Sequence, residues 1–124
     1  ASMTQRASTA IKRCLEDEQG RWLLRRRERF DEVEFDVSGW VDGALVHGVL
    51  DRCFLDEFGV RWIVDYKTTT HESGDLDFFL SEQVRRYTPQ LRRYRQLVAP
   101  LGPEPVRAGL YFPWLQRFID LGEP

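Results

Sequence analysis

Residues 48–67 read GVLDRCFLDEFGVRWIVDYK, from Gly48 to Lys67, and this stretch decides the fold. Side chains of a strand alternate between faces, so Ile63, Asp65 and Lys67 share one face while Val64 and Tyr66 share the other. Two ionisable groups beside an apolar strand core need a reason, because burying unpaired charge is costly. The turn supplies one. A loop of Glu57-Phe58-Gly59 puts Gly59 in the left-handed position that such hairpins favour. Asp51 then stands directly opposite Asp65, with Cβ atoms about 4.5–5.5 Å apart. Facing carboxylates destabilise a sheet unless a cation lies between them, and oxygen ligands of this kind suit Mg²⁺ or Mn²⁺. Lys67, one strand repeat further on, is placed to orient a water or offset charge on a phosphate. A two-residue turn would instead shift the register by one and send the aspartates to opposite faces.

Outward from this hairpin the pattern stays legible. Val33, Phe35 and Val37 alternate with Glu34, Asp36 and Ser38, as in a half-buried strand, and Asp42-Gly43 is a two-residue hairpin signal. The strands expected are 44–55 and 60–66, after a first one near residue 33. Towards the N-terminus, residues 4–18 have helical spacing at Ala10, Ile11, Cys14 and Leu15, with Gly20 ending the helix. A short second helix carries Trp22, Leu23 and Leu24. Beyond the hairpin, 68–79 shows no clear period and reads as a loop. Thr88-Pro89 suits an N-cap followed by proline at the first helical position, giving a helix over 88–98 with Leu91, Tyr94 and Val98 on its buried stripe. Strands over 106–112 and 117–121 complete the chain. The order is an α/β (α+β) one, helix, three-strand meander, helix and strand, with helices packed on a mixed sheet. The expected organisation is a single domain over 1–124, with a helical segment near 4–29, the meander near 32–67, the motif helix near 88–98 and C-terminal strands near 106–121.

The composition excludes several classes. A chain of 124 residues with 42% hydrophobic and 31% charged residues suits one modest globular domain. No apolar run approaches a membrane span and no signal peptide is visible, so a cytoplasmic address is expected. Cys14 and Cys53 are too few for a disulfide framework or a cysteine-only metal site. The net charge of −2 does not mark a nucleic-acid binder globally, so any DNA contact must be local. No Gly-rich phosphate loop followed by Lys and Ser/Thr occurs. Ala1-Ser2 ahead of Met3 read as a cloning scar, and the ends suggest a fragment.

Asp-x-Lys on a strand is, alone, the pattern of a solvated edge pair, and Gly-x-x-Asp alone is no more specific. Together, across a hairpin and followed by Tyr87-x-x-Gln90-Leu91-x-x-Tyr94, they occur in the order and spacing of another group of proteins. The chain resembles the RecB-like nuclease domain of the PD-(D/E)XK superfamily, over roughly 20–112. The resemblance implies a restriction-endonuclease-like core and maps the active site onto Asp51, Asp65 and Lys67. The backbone carbonyl of Tyr66 becomes a further metal ligand. Gln90 and Tyr94, four apart on one helix face, support the site and contact DNA. Glu34 resembles the acidic residue that often precedes the meander, and reads equally as a solvent-facing strand residue. The family usually carries a metal-binding histidine upstream. This chain has none before His47, which has the strand parity of Asp51 but the wrong place in the fold, while His71 lies in the loop after the lysine. The histidine is therefore expected in a preceding part of a longer protein. Some relatives hold an iron–sulfur cluster on four cysteines, which Cys14 and Cys53 cannot supply, so the RecB or AddA type fits better.

The resemblance implies a Mg²⁺- or Mn²⁺-dependent exodeoxyribonuclease of an ATP-dependent helicase–nuclease acting on double-strand breaks. Its partners are DNA, a helicase domain of the same parent chain and another subunit. Arg85, Arg86, Arg92, Arg93 and Arg95 border the proposed site, and Arg86 and Arg93 are the candidates for phosphate contacts that do not read sequence. The Arg25-Arg26-Arg27 run, flanked by Glu28, Asp31 and Glu32, suits a neighbouring domain equally well. Trp40, Trp62 and Trp114 read as core or interface. Two alternatives stand beside the nuclease: a catalytically inactive nuclease-like domain serving as a DNA-guiding or docking module, and a small β-rich binding domain with coincidental motifs.

Overall fold

A computed structural model describes residues 3–25, 27, 31–71 and 74–124. Arg26 and Glu28 of the basic run and its acidic flank lie outside the described residues. Five strands form one sheet: β1 (Asp31–Val41), β2 (Ala44–Leu55), β3 (Arg61–Tyr66), β4 (Val106–Phe112) and β5 (Arg117–Gly122), neighbours in chain order. Only β3 and β4 run parallel. Parallel neighbours need a long crossover, and α3 (Leu76–Val98) provides it. Two further helices, α1 (Met3–Glu16) and α2 (Glu18–Leu24), precede the sheet.

The sheet has an apolar core on each face. Ile63, Cys53, Leu50 and Val37 pack with Leu91, Leu97 and Val98 of α3. Val64, Phe54 and Tyr111 pack with Cys14 of α1 and Leu23 of α2. Burial on both faces explains why β4 reads as a nearly continuous apolar run. It also separates the two cysteines, which lie in different cores, and burial raises both thiols above their ordinary pKa. Thiols of that kind are inert.

Both hairpins close as their turn residues predict. Val41 pairs with Ala44 across Asp42 (φ 52°) and Gly43 (φ 80°), a type I′ turn. In the second, Asp56 N–H donates to the Val60 carbonyl, leaving Glu57-Phe58-Gly59 as the loop with Gly59 at φ 81°. Asp56 tightens it further. One carboxylate oxygen accepts from Phe58 N–H and Val60 N–H, and the other from the Trp62 indole at 2.8 Å.

Two helix boundaries differ from expectation. Gly20 does not end α1; the break falls at Asp17, whose carboxylate caps α2 by accepting from Gly20 N–H. Gly20 lies inside α2, where an added Cβ would sit 2.1 Å from the Cys14 carbonyl oxygen. The motif helix begins at Leu76 rather than Thr88, so 76–79 is helix and Pro89 is internal. Asp75 is the true N-cap, accepting from Asp77 N–H and Phe78 N–H. Thr88 instead donates its hydroxyl to the Val84 carbonyl. Leu76, Leu80, Val84, Tyr87, Leu91, Tyr94 and Val98 form a single helical stripe, and that long period outweighs the local Thr-Pro signal.

One irregularity positions the site. Val33 pairs with Arg52 and Phe35 with Leu50, but between them Glu34 takes φ 51° and the ladder is interrupted opposite Asp51. The sheet faces exchange there. Phe35 and Leu50 pack towards α3, whereas Arg52 and Phe54 belong to the α1/α2 side. Strand parity therefore does not carry from His47 to Asp51. His47 points away from α3, bonding Ser38 and lying 3.3 Å from Asp36. Trp40 on the same outer face is 74% exposed, unlike buried Trp62.

Candidate active site

Arg52 pairs with Val64 and Cys53 with Ile63, so the next step of this ladder sets Asp51 opposite Asp65. At that step regular pairing stops and side chains take over. The Asp51 carboxylate accepts from Tyr66 N–H at 2.7 Å. Lys67 N–H turns the other way, to the Tyr111 carbonyl of β4. Because N–H and C=O of one extended residue point to the same side, the Tyr66 carbonyl is directed towards the Asp51 strand.

Three ionisable side chains come together here. Burial, followed by hydrogen bonding with Asp65, pushes the Asp51 carboxyl up to about 6, against the lowering effect of Tyr66 N–H. A carboxylate desolvated beside another carboxylate is the arrangement a bound cation relieves. Lys67 Nζ lies 2.6 Å from Asp65, with both side chains largely buried (16% and 21% exposed). The same ammonium sits 3.6 Å from the ring centroid of Tyr87 on α3. Tyr87, the first residue of the Tyr87-x-x-Gln90-Leu91-x-x-Tyr94 motif, is thus part of the cluster.

Gln90 and Tyr94 meet each other, Gln90 Nε2 donating to Tyr94 Oη at 3.1 Å. The Tyr94 ring lies over Gly48, where an added Cβ would come 2.3 Å from the ring. Arg85, Arg86, Arg92 and Arg93 are exposed on α3, whereas Arg95 is half-buried. Arg86 is exposed with its guanidinium 5.4 Å from the Tyr87 centroid, and Arg93 is exposed on the same helix. Arg85 pairs with Glu82, while Arg95 turns to the Val106 carbonyl and Glu123. Glu34 is exposed beside the break opposite Asp51. His71 bonds the Gly74 carbonyl within its own loop.

The donor set fits a hard divalent cation through Asp51, Asp65 and the Tyr66 carbonyl. Among the described residues no group of three or more His, Cys, Asp or Glu gathers into a metal site. None of their helices is long and apolar enough to cross a membrane.

Behind Asp51, the Tyr66 side chain lies on the opposite sheet face and lines a cavity of about 300 Å³ with Leu24, Arg27, Asp31, Val33 and Arg52. Its buried hydroxyl has no hydrogen-bond partner among the described residues.

The sequence signature of the PD-(D/E)XK nuclease superfamily covers residues 1–118. No curated protein matches the chain.

Proposed function

The chain belongs to the PD-(D/E)XK nuclease superfamily, and on that premise we propose that it is a divalent-metal-dependent nuclease domain that hydrolyses DNA. The observation that carries this reading is the half-buried pair Asp51 and Asp65 with Lys67, where the middle of β2 meets the end of β3. Asp51, Asp65 and the Tyr66 carbonyl would hold Mg²⁺ or Mn²⁺. When bound, the ion supplies a lowered water pKa and neutralises charge on the phosphate.

The residues have separate tasks. Asp51 and Asp65 would each give the ion a carboxylate oxygen, and Tyr66 N–H keeps the Asp51 carboxylate in place. Lys67 carries a positive charge to the attacking water or the scissile phosphate, which is general stabilisation of developing anionic charge. Gln90, held by Tyr94, would meet the substrate strand from α3. Arg86 and Arg93 engage phosphates along the same helix without reading sequence.

The finer assignment follows from the motif resemblance. It is an exonuclease of RecB or AddA type in an ATP-dependent helicase–nuclease, acting in double-strand break repair and recombination in the cytoplasm. It works on DNA beside a helicase domain and another subunit, and a histidine from a preceding segment of a longer protein completes the ligand set. A second reading, a metal-free guiding or docking module, is favoured by one observation. Lys67 already neutralises Asp65 without a metal.

Calorimetric titration with Mn²⁺, comparing the chain with Asp65→Ala, tests the proposal. Binding that disappears in the variant supports the paired-aspartate site, and cutting of linear DNA follows as the second assay. If neither this chain nor a longer protein with the upstream segment binds metal, the nuclease reading fails and the docking module stands.

A further inference from the structure

Lys67 has two holders, and they compete for it differently. Asp65 binds its ammonium by charge at 2.6 Å, while the Tyr87 ring face binds it at 3.6 Å from the centroid. If Asp65 serves a divalent cation, its oxygens are drawn from the lysine. An ammonium released from an ion pair ordinarily swings into water, where it is best hydrated. The ring of Tyr87 removes that option. It is uncharged, so it competes for neither the metal nor the proton, and its quadrupole attracts a cation most strongly where water is scarce. The Lys67 side chain is 16% exposed, which meets that condition.

We propose that Tyr87 is the positioning residue of Lys67, its ring keeping the ammonium at the site when Asp65 turns to a cation. This rests on the nuclease reading for its purpose, although the contact itself does not. Arg86 lies 5.4 Å from the same centroid, so one ring sits beside two cations that a phosphate would meet. Core packing alone is the competing role, since Tyr87 also touches the α3-side core. The two roles separate by substitution. Tyr87→Phe keeps the ring, and Tyr87→Leu keeps apolar bulk but loses the π face.

The decisive measurement needs no catalysis. In NMR spectra of the metal-free protein, ring current moves the Lys67 ε-methylene protons upfield. The shift is expected to persist in Asp65→Asn, where the charge of the ion-pair partner is gone. It persists in Tyr87→Phe and vanishes in Tyr87→Leu. In DNA cleavage, Tyr87→Phe is expected to act like the parent, whereas Tyr87→Leu loses about 10- to 30-fold in kcat, the size of a desolvated cation–π contact. KM for DNA and the Mn²⁺ Kd are expected to stay constant. Loss of the ring-current shift in Asp65→Asn overturns the proposal, as does a Tyr87→Leu variant that cuts at the parental rate. Equal losses in Tyr87→Phe and Tyr87→Leu would move the role to the hydroxyl and overturn it too. If the parent chain cuts nothing, alone or within a longer protein carrying the upstream segment, yet the shift persists in Asp65→Asn, Tyr87 stands as holder of Lys67 and the nuclease reading alone is defeated.

Discussion

Asp51 and Arg52 are consecutive residues of β2, both with charge inside the protein, and the fold treats them in opposite ways. Arg52, 4% exposed, is matched almost atom by atom. Its guanidinium donates to the Leu23 and Arg25 carbonyls that end α2 and pairs with Asp31. Cations at a helix C-terminus complement its dipole and unpaired carbonyls. Asp51 faces another carboxylate, and burial together with Asp65 raises its pKa. A satisfied buried charge stabilises a local geometry, whereas an unrelieved one marks a place kept for something else. The difference between neighbours separates structure from chemistry more sharply than either residue does alone.

Replacing Arg52 tests the structural side and carries the largest effect. Arg52→Ala takes from Asp31 its ion pair and from the α2 carbonyls their donor, and is expected to cost about 3–5 kcal/mol of stability, read from urea unfolding. A loss below about 1 kcal/mol would place Arg52 among ordinary surface charges. Asp51→Asn tests the other side. Mn²⁺ affinity by calorimetry is expected to fall at least about 100-fold, more than the loss of a group that merely hydrogen-bonds a ligand usually causes. The melting temperature at pH 7 should rise, since a carboxylate–carboxylate repulsion is removed. A lower melting temperature would mean that Asp51 is a structural group like its neighbour.

Gly48→Ala probes how closely α3 seats over the hairpin. The new methyl meets the Tyr94 ring, and overpacking of this kind costs about 1–3 kcal/mol. Chemical-shift changes should reach Gln90 through its bond to Tyr94.

The pH dependence is the gentlest test. The Asp51 carboxyl has an ordinary value of 3.8 and titrates at about 6 in the fold. The folded state therefore binds more protons between those values, so this group makes stability fall as pH rises from 3.8 to about 6. Melting curves across that window should show the slope in the parent and a weaker one in Asp65→Asn. Metal affinity should move the other way, rising with pH through about 6 as the competing proton leaves. An identical slope in both proteins would remove Asp65 as a cause of the shift.

The strand pattern and turn chemistry were legible because each rests on local rules. Gly59 needs its left-handed φ and Asp42-Gly43 its mirror-image turn, and both set the register. The facing of Asp51 and Asp65 follows from that register alone. What stayed hidden depends on distant partners. Thr88-Pro89 has the letters of a helix start, but the apolar stripe of α3 extends the helix back to Leu76. The face exchange at Glu34 breaks the alternation that placed His47 with Asp51. The motif singles out Tyr87, but its contact with the Lys67 ammonium depends on a strand distant in sequence.

Gly48 carries a consequence for inheritance. Its lack of a side chain is what lets the Tyr94 ring approach, and that ring in turn holds Gln90. Neither position can drift independently. A lineage that gained a side chain at position 48 would have to shrink the residue at 94, and would lose the anchor of Gln90 in doing so. A change to a small loop-free residue of one strand would then be recorded, several substitutions later, as a different helix face presented to the substrate.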